Sequence, residues 1–157
     1  MVAAQDPELI EYAQSKGAKG INLAGICCTS NEVLMRHGIP PAGNYLSQEM
    51  AIVTGTIEAM VVDVQCIMEN IANVADCFHT KVITTNPRAK MGSGHTIHIE
   101  FDEHTAFDDA KRIVREAIEN FPNREKEVVI PSYQSSLIAG FSYEAINYHL
   151  GGTFRAS

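Results

Sequence analysis

The chain has 157 residues, of which 12 are Lys or Arg and 19 are Asp or Glu, giving a formal net charge of −7. A chain of this length suits one domain with its own hydrophobic core, so we expect a single domain over residues 1–157. The acidic balance argues against nucleic acids and anionic membranes as partners. No apolar run approaches the roughly 20 residues that cross a bilayer, and the sequence predicts a cytoplasmic protein with reduced thiols.

Helices and strands are predicted to alternate along the first part of the chain. Apolar spacing indicates a helix over Pro7–Ser15 and a buried strand over residues 20–25. Thr29 and Glu32 have the spacing of a capping box, which predicts a helix that runs to Gly38. The next segments are predicted as a loop over residues 39–43, a short strand over residues 44–47, and a helix over Gln48–Val53 with Ser47 as its N-cap.

The same alternation continues in the rest of the chain. Predicted strands cover residues 59–64, 81–85, 96–100 and 127–130, and predicted helices cover residues 70–78, 103–120 and 143–150. Strands that alternate with helices over short connections are typical of parallel sheets with right-handed crossovers. The sequence therefore predicts an α/β fold, a three-layer Rossmann-like domain with a mainly parallel sheet.

Two cysteines follow predicted strands of this sheet. Cys28 comes after the strand over residues 20–25, and Cys66 comes after the strand over residues 59–64. Ligands of open parallel sheets bind at the carboxyl ends of the strands, and a thiolate there can bind metal or attack an electrophile. We expect Cys28 and Cys66 to face one crevice. The alternative is that both thiols only fill the core, as buried cysteines often do.

The other cysteines and the histidines give weaker signals. Cys27 and Cys77 are predicted to pack in the interior, and the cysteine spacing does not match a C-x-x-C site. His79 precedes a strand, which places it at the edge opposite the cysteines. His95 and His98 fall on opposite faces of their strand, which disfavours a metal site there. The turn after the first strand also lacks the glycine fingerprint of dinucleotide-binding domains.

A family resemblance rests on several long stretches of sequence. They are residues 21–38, 44–50, 61–68, 78–81, 139–146 and 151–157. These stretches resemble the anaerobic nickel-iron carbon-monoxide dehydrogenases, and the likeness covers nearly the whole chain. The matching part of that family is the central Rossmann-like domain of a much larger subunit. Ser30 departs from the pattern, since the family usually has Gly there, and Glu69 stands where it usually has Pro.

The resemblance implies a function and two site residues. The family interconverts CO and water with CO2, two protons and two electrons at a nickel-iron-sulfur cluster, the C-cluster, which one histidine and five cysteines hold. By motif, Cys28 corresponds to the cysteine that shares the pendant iron with the histidine, and Cys66 to a cysteine on the iron-sulfur part. The other ligands and the electron-relay clusters correspond to other domains of the subunit. The resemblance thus implies a domain that supplies two metal ligands and is inactive alone, without a cluster of its own.

Two other classes of function stay open. One is an engineered or non-enzymatic α/β scaffold whose thiols bind another metal or a partner domain, and which self-associates through an uncovered apolar surface. The other is a thiol redox enzyme that uses the vicinal pair Cys27 and Cys28, although such a disulfide would be strained.

Overall fold

Parallel strands form the centre of the fold in the computed structural model, which describes residues 1–65, 67–125 and 127–133. Strands β3 (Ala59–Val62), β4 (Lys81–Thr84) and β5 (Thr96–His98) form a sheet in that order. Strand β1 (Gly25–Ile26) pairs with β2 (Pro41–Gly43). Every strand pairing in the described residues is parallel, which confirms the predicted α/β fold with parallel strands.

Helices connect these strands. They are α1 (Pro7–Ser15), α2 (Cys27–Glu32), α3 (Gln48–Val53), α4 (Ile71–Asp76) and α5 (Ala106–Asn120), with 3-10 turns at Ala3–Gln5, Leu34–His37, Tyr45–Ser47, Pro87–Ala89 and Phe121–Asn123. The predicted bounds of α1 and α3 are confirmed at both ends. None of the helices within the described ranges is long and apolar enough to span a bilayer.

Helices cover both faces of the β3-β4-β5 sheet. On one face, Met60 and Val82 pack in a core cluster with Ile52 of α3 and Ile71 of α4. Neighbouring residues of a strand point to opposite faces. Lys81, next to Val82, accordingly lies on the other face, where its Nζ is 2.9 Å from Glu116 Oε2 of α5. The sheet therefore lies between α3 and α4 on one side and α5 on the other, as the three-layer prediction requires.

A smaller cluster fixes α1 to α5. Leu9 and Ala13 of α1 pack against Ile118 of α5, and all three are buried. Asp6 caps α1 by accepting a 2.9 Å hydrogen bond from the Glu8 N–H. The same carboxylate forms an ion pair with Lys111 of α5, so one side chain both caps α1 and joins the two helices.

This ion pair makes stability dependent on pH. The hydrogen bond from Lys111 lowers the pKa of Asp6 below its ordinary value, with the capping N–H of Glu8 acting in the same direction. A carboxyl with a lowered pKa in the folded state stabilises the fold above its unfolded-state pKa of about 3.9. That contribution is lost as the pH falls through the lower, folded-state pKa.

We expect Asp6→Asn, which keeps the cap but removes the charge, to melt at a lower temperature than wild type at neutral pH. The two melting temperatures should converge in acid, as the pH falls below the ordinary carboxyl pKa of about 3.9. Thermal unfolding followed by circular dichroism across this pH range is the measurement, with the exposed Glu69→Gln as the control variant. A difference in melting temperature between wild type and Asp6→Asn that stayed constant with pH would contradict a stabilising role of the Asp6 charge.

The predicted strand over residues 20–25 is wrong except for its last residue. β1 begins at Gly25, and its partner β2 lies where a loop was predicted. The Gly25 N–H donates to the carbonyl of Pro40 at 2.9 Å. A proline lacks an N–H but keeps its carbonyl, so it can still accept hydrogen bonds at a sheet edge.

The segment before α3 also differs from its prediction. Residues Tyr45–Ser47 form a 3-10 turn rather than a strand. Asn44 accepts from the Leu46 N–H at 2.9 Å, while the Ser47 hydroxyl accepts from the Asn44 N–H at 2.8 Å. Ser47 occupies the predicted N-cap position of α3. Its hydroxyl is used inside the turn and makes no capping hydrogen bond to the helix, so the predicted capping contact is wrong.

The last predicted strand is wrong as well. Residues 127–130 are described without strand structure. The Val129 N–H donates to the carbonyl of Thr54, just after α3, at 2.9 Å, rather than to a neighbouring strand. The predicted helix over residues 143–150 lies outside the described residues.

Candidate metal centre

The junction between β1 and α2 holds the two adjacent cysteines. Cys27 has a left-handed backbone, with φ of 57°, which a side chain other than glycine rarely adopts. A Cβ on Gly25 would lie 2.5 Å from the Cβ of Ser30, so only glycine fits where β1 approaches α2 this closely. Cys27 is half-buried and Cys28 is exposed. The vicinal pair thus divides as predicted, with Cys27 turned towards the packing and Cys28 towards the surface.

The helix after these cysteines starts earlier and is shorter than predicted. α2 begins at Cys27, so Thr29 is inside the helix and cannot be its N-cap, and the capping-box prediction is wrong. The helix ends at Glu32, and a separate 3-10 turn covers Leu34–His37 before Gly38, whose φ of 76° ends it. A helix of 6 residues has few aligned peptide dipoles, so α2 favours a Cys28 thiolate only weakly.

The segment after β3 carries the second predicted ligand. β3 ends at Val62, and the Asp63 carboxylate then accepts hydrogen bonds from the backbone N–H groups of Val64 and Gln65, which turns the chain. Cys66 itself lies outside the described residues. Two residues further on, the Met68 N–H donates to Gln48 Oε1 at 3.1 Å.

Gln48 is the residue of this region that the sequence analysis missed. It is the first residue of α3, is 4% exposed, and its Nε2 donates to Cys27 Sγ at 3.8 Å. Its amide therefore contacts both the β1–α2 junction and the segment that follows Cys66. A lone glutamine at the start of a predicted helix carries no motif, so the sequence offered no signal for it.

Ser30 places an unsatisfied hydroxyl inside the β1–α2 junction. The residue is 1% exposed, and its Oγ has no hydrogen-bond partner among the residues that the structure describes. Burying a polar group without a partner costs about 1–3 kcal/mol, so Ser30→Ala is expected to raise the free energy of unfolding by about 1 kcal/mol.

Thr80→Val is the contrasting variant for Ser30→Ala. Thr80 is equally buried, but its hydroxyl donates to the Ile57 carbonyl at 2.7 Å, so its loss is expected to cost about 1 kcal/mol. Chemical denaturation of both variants measures the two changes. Equal destabilisation by the two substitutions would contradict an unsatisfied Ser30 hydroxyl.

Cys77 corrects a prediction. It is exposed, and its Sγ donates to the Asn73 carbonyl at 3.5 Å, so the interior position predicted for it is wrong. Ala75 is fully buried on the inner side of α4. Cys77 follows two residues later, and two helical steps of 100° place a side chain on the opposite side.

The histidines are separated, as predicted. His98 Nδ1 is 2.8 Å from Thr84 Oγ1 within the sheet, whereas the ring of His95 lies 3.3 Å from the Ala75 carbonyl. His79 precedes β4 at the amino edge, where its Nε2 is 3.5 Å from Glu58 Oε1. No group of three or more His, Cys, Asp or Glu side chains gathers in the described part of the chain. The described donors thus do not complete a metal site by themselves.

The amino edge of the sheet holds a polar network. Arg124 Nε donates to Glu58 Oε1 at 2.6 Å, and Asn120 Nδ2 donates to the carbonyls of Glu58 and His79. A pocket of about 270 Å³ between His79, His95 and Asn120 opens beside it. These bonds fix the end of α5 to the starts of β3 and β4, so the network has a structural explanation.

Comparison with known proteins assigns the family. Residues 1–148 match the family model described as "Prismane/CO dehydrogenase family". Carbon monoxide dehydrogenase 1 of Methanosarcina mazei is 57% identical over 152 residues, which are 96% of this chain and 24% of that protein. Carbon monoxide dehydrogenase 1 of Carboxydothermus hydrogenoformans is 59% identical over 138 residues, 87% of this chain and 21% of that protein.

Solved structures give the same assignment. A nickel-free carbon monoxide dehydrogenase from Thermococcus sp. AM4 superposes with a TM-score of 0.85 at 53% identity, covering 98% of this chain and 24% of that chain. Carbon monoxide dehydrogenase IV from Carboxydothermus hydrogenoformans gives a TM-score of 0.85 at 48% identity, covering 96% of this chain and 23% of that chain. The chain spans about a quarter of the length of these relatives. The chain belongs to the Prismane/CO dehydrogenase family.

Proposed function

We propose that this chain acts as one domain of a nickel-iron carbon-monoxide dehydrogenase and supplies Cys28 and Cys66 as two ligands of its nickel-iron-sulfur cluster. The observation that carries this proposal is the exposed Cys28 thiol beside a strained, half-buried Cys27, in a chain 57% identical to a carbon monoxide dehydrogenase. Strained backbone is typical of functional sites. The reaction of the complete enzyme is the interconversion of CO and water with CO2, two protons and two electrons.

The donors fit the group. Thiolate sulfur is a soft ligand that suits iron-sulfur clusters and nickel, whereas hard cations prefer oxygen. The exposed position of Cys28 leaves room for a cluster at the end of β1. When bound, the cluster supplies the redox chemistry and the site for CO, and the residues of this chain bind and orient it.

The rest of the enzyme would complete the site. Val64, after β3, and Phe101, after β5, are 53% and 66% exposed. Parallel strands end at the same edge, so these apolar side chains follow the strands at the edge of the β3-β4-β5 sheet where β3 leads into the segment with Cys66. We assign them to contacts with the remaining domains of the subunit. In their absence this edge favours self-association, and the domain alone is inactive and holds no cluster.

Cobalt(II) tests the two ligands in this chain, because thiolate coordination gives it an intense charge-transfer absorption. Titration of the anaerobic protein is expected to produce this band in wild type, to weaken it in Cys28→Ser and in Cys66→Ser, and to leave it unchanged in Cys77→Ser. Cys77 is the matched control, as an exposed thiol at the end of another helix. A band that survives in both Cys28→Ser and Cys66→Ser would refute the proposed ligand pair.

Reconstitution with iron, sulfide and nickel tests the claim that the domain is inactive alone. CO oxidation coupled to reduction of a viologen dye is expected to stay at background. Sustained turnover by the isolated chain would contradict the proposal that other domains complete the site.

A further inference from the structure

Gln48 joins the two segments that carry the proposed ligands. Its Nε2 donates to the Sγ of Cys27, which directly precedes Cys28, at 3.8 Å. Its Oε1 accepts from the N–H of Met68, two residues after Cys66, at 3.1 Å. Gln48 is 4% exposed and both hydrogen bonds are partly buried, and a hydrogen bond that is partly removed from water is stronger than one at the surface.

The chemistry of the contact requires an amide. A glutamine amide has both donor N–H groups and an acceptor oxygen. A carboxylate in its place would have no donor for Cys27, and an apolar side chain of the same length would serve neither Cys27 nor Met68. The Gln48 amide thus suits both the sulfur acceptor of Cys27 and the backbone donor of Met68.

The backbone of Gln48 is fixed by the turn before it and by the core contacts of α3 after it. The hydrogen bonds between Asn44 and Ser47 fix the turn before α3. Behind Gln48, Ala51 and Ile52 anchor α3 in the core cluster with Ile71 and Val82. The amide therefore extends from a fixed helix towards the start of α2 and the segment after Cys66.

The contact also accounts for the different surroundings of the two adjacent thiols. Cys27, held by Gln48, is half-buried and has the left-handed φ of 57°, while Cys28 is exposed. The backbone conformation of Cys27 sets the direction in which the side chain of Cys28 points. A contact that holds Cys27 in this conformation therefore also orients Cys28.

We infer that Gln48 is a positioning residue that fixes the Cys27–Cys28 junction against the segment after Cys66, and so preorganises Cys28 as a metal ligand. This role rests on the proposed function, since it concerns the same two ligands. It adds a residue that does not touch the metal and acts through the segments that do.

The test uses cobalt(II) as the probe, with two substitutions at Gln48. Gln48→Met removes both hydrogen bonds, and Gln48→Glu removes the donor to Cys27. Each is expected to weaken cobalt binding about 10-fold, as loss of an outer contact of a metal site does, and to shift the ligand-field bands that report the coordination geometry. Thermal unfolding of each variant accompanies the titration, and the comparison is made where the variants are folded.

Gln65→Glu is the matched control. It places the same new charge directly beside Cys66, but Gln65 is exposed and its side chain has no part in the Gln48 contacts. For this control we expect a cobalt affinity within about twofold of wild type and ligand-field bands at the wild-type positions. Equal weakening by Gln65→Glu and Gln48→Glu, or wild-type binding and spectrum in a folded Gln48 variant, would overturn the positioning role.

The cysteine variants separate this inference from the proposed function. If Cys28→Ser and Cys66→Ser lower the cobalt band while the Gln48 variants bind as wild type, the ligand pair stands and the role of Gln48 fails. If the cysteine variants bind cobalt as wild type does, the proposed function fails, and the positioning role fails with it.

Discussion

Cys28→Ser is expected to lower CO oxidation at least about 100-fold in a full-length enzyme that contains this domain, since loss of even an outer-shell partner of a metal site costs about 10- to 100-fold. The enzyme to use is carbon monoxide dehydrogenase 1 of Carboxydothermus hydrogenoformans, with its matching segment, 59% identical over 138 residues, replaced by this chain. Serine keeps the size of the side chain but offers a hard oxygen that binds iron-sulfur clusters poorly. Steady-state CO oxidation and the iron and nickel content per subunit are the two measurements.

Controls for this experiment are present in the same chain. The chimaera with its cysteines unchanged is expected to oxidise CO, and Cys77→Ser is expected to match it, because Cys77 is exposed directly after α4. Wild-type turnover and metal content in the Cys28→Ser chimaera would contradict the ligand role.

Ile52→Ala is expected to lower the free energy of unfolding by about 3 kcal/mol, within the range typical of large-to-small changes in a core. Ile52 is 0% exposed and packs with Met60, Ile71 and Val82 between α3 and the sheet. For a domain of this size the change corresponds to a loss of about 6–12 °C in melting temperature. Denaturant unfolding of the isolated chain measures the change in free energy, and thermal unfolding measures the change in melting temperature.

The next residue in the chain is the control for the core substitution. Val53 also belongs to α3 but is 43% exposed, so Val53→Ala is expected to change stability by no more than about 0.5 kcal/mol. A similar loss of stability in Ile52→Ala and Val53→Ala would mean that α3 does not pack against the sheet as described.

Strong apolar patterns predicted the fold well. The apolar run of β4 is buried between helices, and its Val and Ile show this directly. β3 was predicted from the same kind of pattern, although only Met60 is buried there and Val61 is 51% exposed. The apolar spacing that predicted α1 is confirmed, and the structure adds Asp6 as the N-cap of that helix.

The parts that were missed depend on contacts between distant residues. β2 contains proline and glycine, which disfavour strands, and it forms a strand by pairing with β1, with the Pro40 carbonyl just before it accepting from Gly25. The early start of α2 depends on the left-handed backbone of Cys27, a conformation that sequence favours only for glycine.

The candidate site was predictable only in part. The exposure of Cys28 and the partial burial of Cys27 follow from their place after a strand, and both were predicted. Gln48 lies 20 or more residues from both of its partners in sequence, so its role could be found only once the fold brought them together.

Anomalous X-ray scattering at the iron and nickel absorption edges, from crystals of the chimaera with its cysteines unchanged, tests the central claim most directly. We predict iron within bonding distance of both Cys28 Sγ and Cys66 Sγ, and nickel in the same cluster. A metal cluster that contacts neither sulfur would contradict the proposal that this domain supplies two of its ligands.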